Sequence, residues 1–209
     1  MDKYKIYTDY LLEVNSHTNL TTITDPEEIE LKHFKDSLTV LDYIKENDKV
    51  LDIGAGAGFP GIPLRIEKNI DLTLIDSVNK KVVFMNEVIE KLDLENARAI
   101  HTRAEDFAKE HREEFDVVVS RAVANMATLS ELCLPLVKVG GLFIALKGPK
   151  ADEELANAKN ALGILGGKVI KKDKFDLEGN ERVNIIVKKI KPSPKAYPRG
   201  KNLPKKTPL

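Results

Sequence analysis

The sequence predicts an α/β fold: a doubly wound sheet of seven strands, mostly parallel with one antiparallel strand, covered by helices on both faces and preceded by N-terminal helices. Three observations carry this reading. Beyond residue 48, short apolar runs alternate with segments of helical period, the order of a parallel sheet crossed over by helices. The last two runs, Gly167 to Phe175 and Arg182 to Ile190, flank the turn Glu178-Gly179-Asn180 with no helix between them, which makes them a hairpin at one sheet edge. A glycine-rich turn follows the first run, where such sheets bind ligands.

Residues 1–47 read as a helical extension. Tyr4, Tyr7, Tyr10, Leu11 and Val14 recur at three- and four-residue spacing and give one apolar helix face. Asn15 to Thr24 is polar and reads as a loop. Asp25 is placed to cap a second helix, with Pro26 at its first position and Glu27 and Glu28 near its positive end. That helix is expected to reach about Lys45, with Ile29, Phe34, Leu38 and Leu41 inward. Residues 48–190 hold the sheet. Its first five strands are Val50 to Ile53, Leu72 to Ile75, Ala97 to His101, Phe115 to Val119 and Leu142 to Leu146. Helices are expected near Ile62 to Lys68, Val78 to Leu92, Asn125 to Val137 and Ala151 to Leu165. Residues 191–209 contain five of the ten prolines and little apolar material, so an extended basic tail is expected.

Composition narrows the classes. With 209 residues, 42% of them hydrophobic, one domain with small appendages has enough apolar material for a core. Apolar uncharged runs such as Gly140 to Leu146 are strand-sized, and Met1 to Tyr10 lacks the pattern of a secretory leader, so a cytoplasmic protein without a membrane partner is expected. Cys133 is the only cysteine and sits among apolar residues, which excludes an intrachain disulfide or a cysteine zinc cluster and points to a core position. His17, His101 and His111 have no metal-ligand spacing, and His33 reads as a packing or hydrogen-bonding residue; no metal is expected. The balance of 33 basic and 33 acidic residues hides an asymmetry, since eight of the basic ones lie in the last 22 positions, where no acid occurs. A basic end on an acidic body suits a polyanionic partner. Lys188 to Lys191 reads as a solvated strand edge that discourages aggregation.

The turn after the first strand reads Asp52-Ile53-Gly54-Ala55-Gly56-Ala57-Gly58-Phe59. A dinucleotide fingerprint would place its third glycine where Phe59 stands, so a pyrophosphate grip is disfavoured. Asp76 ends the second strand 22 residues past Gly54, where a carboxylate can accept both hydrogens of a ribose diol. Ala104-Glu105-Asp106 after the third strand can frame an adenine with a backbone N–H and an acid. Three loops thus converge on one adenosine. This pattern resembles the class I S-adenosylmethionine-dependent methyltransferases, whose fold is Rossmann-like and whose ligand carries cations where a dinucleotide carries phosphates. Asp52 and Gly56 at the glycine turn suit such a ligand.

A closer resemblance rests on Asn19-Leu20-Thr21, Lys32-His33-Phe34-Lys35-Asp36-Ser37-Leu38, the block from Asp52 through Gly61-Ile62-Pro63-Leu64, Ser120-Arg121-Ala122-Val123-Ala124, Lys147-Gly148, and the ending from Tyr197-Pro198-Arg199 to Lys205-Lys206-Thr207-Pro208-Leu209. Together they resemble the small-subunit rRNA guanine-N7 methyltransferase family, RsmG, formerly glucose-inhibited division protein B. The resemblance implies S-adenosylmethionine as cofactor and methylation of nitrogen 7 on a guanine of 16S rRNA, in the decoding-region loop, with 16S rRNA or the small ribosomal subunit as partner and no protein partner indicated. By position it implies Gly54, Phe59, Ala104, Glu105 and Arg121 as cofactor contacts.

Nitrogen 7 of a neutral guanine has an in-plane lone pair and no proton to lose, so the transfer needs alignment rather than a general base. Arg121, beside the cofactor loops, is the expected catalytic residue, donating to a guanine edge or a phosphate. Lys147 is placed to hold a phosphate, and the tail, with Arg199 and Lys201, to follow the RNA backbone while Tyr197 stacks on an unpaired base. Two rival readings remain at this point: a methyltransferase for a small molecule or protein, and a non-catalytic RNA- or ribosome-binding factor.

Overall fold

The structure, a computed structural model, describes residues 2–209. Seven strands form one sheet in the order β3-β2-β1-β4-β5-β7-β6. They are β1 (Lys49–Ile53), β2 (Asp71–Asp76), β3 (Ala97–His101), β4 (Phe115–Arg121), β5 (Val137–Lys147), β6 (Gly167–Leu177) and β7 (Asn180–Lys189). Strands β1 to β5 pair in parallel, and β7 runs antiparallel to both β5 and β6. The order reverses direction between β1 and β4, which opens a crevice at their carboxyl ends.

Alternate residues of each central strand feed two cores. Val50, Leu72, Leu74, Val117 and Val119 face α1 (Lys3–Thr18), α4 (Gly61–Glu67) and α5 (Asn79–Lys91) on one side. Leu51, Ile53, Ile75, Val118 and Phe143 face the other side, which is covered by α6 (Ala104–Phe107), α7 (Met126–Cys133), α8 (Ala151–Asn157) and α9 (Lys159–Leu165). Cys133 lies fully buried in this second core. Asp2 caps α1, which buries Tyr7 and Leu11 completely and so welds the N-terminal extension to the sheet. No helix among the described residues is long and apolar enough to cross a membrane.

The structure departs from the sequence reading in several elements. The helix expected from Asp25 to Lys45 is α2 (Pro26–Ile29), a π-helical segment Glu30–Lys35, α3 (Asp36–Leu38) and a 3-10 turn Leu41–Tyr43. His33, Phe34, Asp36 and Ser37 are all buried, and in this segment His33 and Asp36 both meet the Arg121 guanidinium. The helix expected to reach Val137 ends at Cys133, because Pro135 enforces a short 3-10 turn and Val137 is drawn into the sheet opposite Phe115. The helix expected through Leu165 breaks at the fully buried Ala158.

The lysine run at 188–191 is solvated at Lys188 and Lys191, but it does not lie on a sheet edge. Strand β7 is internal, so Lys189 is fully buried, where it donates to Leu134 O and Ser193 Oγ and pairs with Glu113 at 3.2 Å. Burial lowers the Lys189 pKa, and Glu113 opposes that shift. The segment beyond residue 190, expected as an extended basic tail, is fastened to the body of the protein. Arg112 donates to the carbonyls of Ser193, Pro194 and Tyr197, and Thr128 Oγ1 donates to the Pro204 carbonyl at 2.9 Å, where a last turn, α10 (Leu203–Lys206), rests against α7.

Candidate active site

The crevice at the β1/β4 switch point holds two clefts. The first has a volume of about 370 Å³, the size of a small-ligand site, and is bordered by Gly54, Asp76, Ala104 and Glu105 from the ends of β1, β2 and β3. Backbone hydrogen bonds set the glycine loop. Gly54 N and Ala55 N both donate to Ile75 O, and Gly54 takes φ 69°, a left-handed conformation that a side chain resists. A Cβ on Gly54 would come within 2.5 Å of Val123 Cγ2, which stands on the opposite wall.

Asp76 supports the loop as well as facing the cleft. Its Oδ2 accepts from Gly56 N at 3.1 Å and its Oδ1 from Val78 N at 2.9 Å. A carboxylate has about four acceptor sites, so room remains for a diol. Glu105 is buried and takes one hydrogen bond from Arg103 at 3.2 Å. Lys81, Arg103 and Lys205 border the same cleft, so it is the accepting oxygens of Asp76 and Glu105, not a net negative charge, that fit the hydroxyls and amine of a nucleoside.

Three residues assigned to the cofactor by sequence stand behind this wall instead. Asp52 is fully buried under the loop, where its Oδ2 accepts from Gly61 N at 2.8 Å and so anchors the start of α4. Its Oδ1 has no hydrogen-bond partner among the described residues, and burial pushes its pKa up to about 7. Gly56 spends its N–H on Asp76 rather than facing the cleft. Phe59 is sandwiched between Tyr7 and His33, with ring centroids at 5.2 and 4.5 Å. Tyr7 also donates to Ala57 O, so α1 braces the glycine loop from below.

Arg121 lies in the second cleft, of about 550 Å³, across the ridge Ala122–Val123–Ala124 that both clefts share. Ala122 adopts φ 56°, an uncommon conformation for a residue with a side chain, and this kink throws Arg121 to the far side of the ridge. Its guanidinium donates to Asp36 Oδ2 at 2.9 Å and to Lys32 O at 3.0 Å, lies 3.2 Å from His33 Nδ1, and sits over the Phe59 ring. Asp36 Oδ1 accepts from Arg182 Nε at 3.1 Å, so one buried carboxylate holds two arginines. Desolvation, reinforced by the Arg121 charge, lowers the His33 pKa to about 4. A neutral imidazole that accepts from Arg121 at Nδ1 carries its proton on Nε2, which lies 3.0 Å from Thr21 Oγ1.

Lys147 also lines the second cleft, donating to Ala124 O and pairing with Glu154 Oε2 at 2.7 Å. Arg199 and Lys201 line neither cleft. Arg199 is held by the fully buried Glu131 through its backbone N, Nε and Nη2, at 2.7 to 2.8 Å, which withdraws it from an RNA-facing role. Lys201 is exposed.

Sequence reasoning missed Asp36 and Arg182, which meet across 146 positions, and Glu154, whose place depends on the β5–α8 turn. It also missed Asn202, Pro204 and Lys205, which close one side of the first cleft. Asn202 accepts from Arg103 at 2.7 Å, so the C-terminal turn is latched to the group that holds Glu105.

Known proteins resemble the chain in both fold and sequence. The SAM dependent methyltransferase from Aquifex aeolicus superposes with a TM-score of 0.62 at 20% identity, over 81% of this chain and 96% of that one. TYW2 from M. jannaschii, solved in complex with AdoMet, gives 0.60 at 18% identity, over 75% and 76%. At these identities the likeness concerns the fold. In sequence, Ribosomal RNA small subunit methyltransferase G of Lactobacillus helveticus is 48% identical over 100% of this chain and 90% of its own length. The protein of that name from Lachnoclostridium phytofermentans is 50% identical over 100% and 89%. With its residues 1–183 matching the family model described as GidB, rRNA small subunit methyltransferase G, and with relatives at this level along its whole length, the chain belongs to that family.

Proposed function

We propose that this chain is a cytoplasmic enzyme that transfers the methyl group of S-adenosylmethionine to nitrogen 7 of a guanine in 16S rRNA, in the decoding-region loop. The observation that carries the proposal is the pair of clefts separated only by the Ala122–Ala124 ridge: one on the scale of a nucleoside, with the Asp76 and Glu105 carboxylates among its lining, and one beside it bordered by Lys32, Arg121, Lys147 and Arg182. When bound, the cofactor supplies an electrophilic methyl on a positively charged sulfur. Asp76 receives the ribose hydroxyls, while Ala104 and Glu105 frame the adenine. Gly54 lets the chain turn closely against the ligand.

The chain's remaining work is alignment. Nitrogen 7 offers its lone pair without losing a proton, so no residue has to remove one. The rate comes from holding that lone pair in line with the methyl carbon. Arg121, preset by Asp36, Lys32 O and His33, offers its outer N–H groups to the flipped nucleotide or its phosphate, and Arg182 and Lys147 add positive charge around the same opening. The neutral His33 keeps Arg121 in place without repelling it.

The test is to incubate the protein with labelled cofactor and unmodified 16S rRNA or small subunits, then to cleave chemically at 7-methylguanosine. A single cut is expected; label at another atom, or no label at all, overturns the proposal.

A further inference from the structure

Arg121 donates from Nη1 to both Asp36 Oδ2 and Lys32 O, but its Nη2 has one neighbour among the described residues, His33 Nδ1 at 3.2 Å. That same ring nitrogen lies 3.2 Å from Lys32 O. It cannot serve both: protonated, Nδ1 donates to the carbonyl and turns an N–H toward the guanidinium; unprotonated, it accepts from Arg121. The place of one proton on the imidazole therefore decides whether Nη2 of Arg121 is held. The other ring nitrogen, Nε2, meets Thr21 Oγ1 at 3.0 Å. Thr21 is fixed from behind by Asn15 of α1, whose side chain accepts from the Leu20 and Thr21 N–H groups and donates to the Thr21 carbonyl. Its Oγ1 also accepts from Ile23 N at 3.1 Å. One lone pair then remains for His33, and the half-buried hydroxyl can turn its own proton to solvent.

We propose that Thr21 is a positioning residue of the methyl transfer: its oxygen takes the Nε2–H of His33, which leaves Nδ1 bare to accept from Arg121. The inference rests on the placement of Arg121 at the substrate opening in the reading above, and deepens it. A cationic N–H prefers a lone pair to another N–H, so Arg121 and Thr21 select the same tautomer from the two ends of one ring. The ring is buried and stacked on Phe59 with centroids 4.5 Å apart, which fixes its plane while the hydrogen bonds act at its ends. A methyl in place of the hydroxyl strands Nε2–H. A stranded buried N–H is rarer, and so costlier, than an unused lone pair. The proton then moves to Nδ1 and onto Lys32 O, and Arg121 faces a donor.

The experiment compares Thr21→Val and Thr21→Ser in the full chain, and Thr21→Val also in a His33→Gln background, reading total methyl transfer from labelled cofactor to 16S rRNA. The His33 ring nitrogens are observed by NMR at neutral pH, where the imidazole is uncharged. The wild type should carry the proton on Nε2. Thr21→Val should lower kcat/KM by roughly tenfold, the effect of stranding one buried donor, and shift the proton toward Nδ1, with cofactor affinity by calorimetry unchanged. Thr21→Ser should keep the wild-type tautomer and rate. With His33→Gln already present, Thr21→Val should cost nothing further, because the two residues act as one chain. A wild type with its proton on Nδ1 overturns the inference, and does so even if the valine variant fails to fold. So does a valine variant at the wild-type rate, or one that loses the same factor with and without His33. The labelled atom is mapped separately: nitrogen 7 upholds the functional reading whatever the tautomer, and another atom defeats that reading while the tautomer and the double-mutant comparison still decide the role of Thr21.

Discussion

The Arg121 guanidinium is claimed by Lys32 O, Asp36, His33 and the Phe59 face, a set that a planar fork satisfies and an ammonium does not. Arg121→Lys should therefore keep the charge and lose the geometry. Steady-state assays on rRNA should show kcat/KM down by about 100-fold, the scale of losing an oriented charged donor, while calorimetry shows cofactor affinity unchanged. An equal loss in cofactor affinity would return Arg121 to the first cleft. Two other buried groups set the pH dependence of stability, with opposite signs. His33 titrates at about 4 when folded against 6.5 when free, so its share of stability is present above pH 6.5 and lost as pH falls through 4. Asp52 titrates at about 7 when folded against 3.8, so its share is present below pH 3.8 and lost as pH rises through 7. Each amounts to about 3–4 kcal/mol over its window. Between pH 4 and 6.5 the two slopes oppose. Urea unfolding should show stability falling with pH in His33→Gln and rising with pH in Asp52→Asn, relative to the wild type; parallel profiles would contradict both assignments.

At the scale of elements, the strands and the helices that alternate with them were legible because a period of two or of 3.6 is a local signal. The π segment was not, since the burial of His33 and Asp36 together depends on Arg121, which arrives from β4 some 85 residues later. The last turn was misread for a related reason. Composition marked residues 191–209 as proline-rich and basic, but what fastens them are partners far back in the chain: Arg103, Arg112, Thr128 and Glu131. Pro204, buried in a basic stretch, was the one local hint. With Asn202, Pro204 and Lys205 lining the first cleft, truncation after Lys201 should weaken S-adenosylmethionine binding by about tenfold, roughly 1.4 kcal/mol. Calorimetry on the truncated chain checks this, with circular dichroism confirming the fold. Unchanged affinity would make the turn a bystander.

For the molecule as a whole, the order of the sheet and the place of its crevice follow from the order of strands and helices, whereas the division of the tail's charges does not. Of the eight basic residues in the last 22, Lys189 is buried on Glu113 and Arg199 is bound to Glu131. Lys188, Lys191, Lys195, Lys201, Lys205 and Lys206 are exposed and form no ion pair among the described residues. Electrostatic attraction to rRNA should come from these lysines, because each phosphate they neutralise releases counterions. Replacing Lys201 and Lys206 with alanine should reduce the slope of log affinity against log salt by about 0.7 for each phosphate that is no longer neutralised. Binding should weaken most at low salt and converge with the wild type at high salt. Arg199→Ala should do the opposite. It leaves Glu131 charged and buried without its partner, a cost of roughly 3 kcal/mol, so unfolding should occur at lower urea while the salt slope stays that of the wild type. If Arg199→Ala instead flattens the salt slope and leaves stability untouched, Arg199 meets phosphate and the segment must leave its berth on α7 when RNA binds.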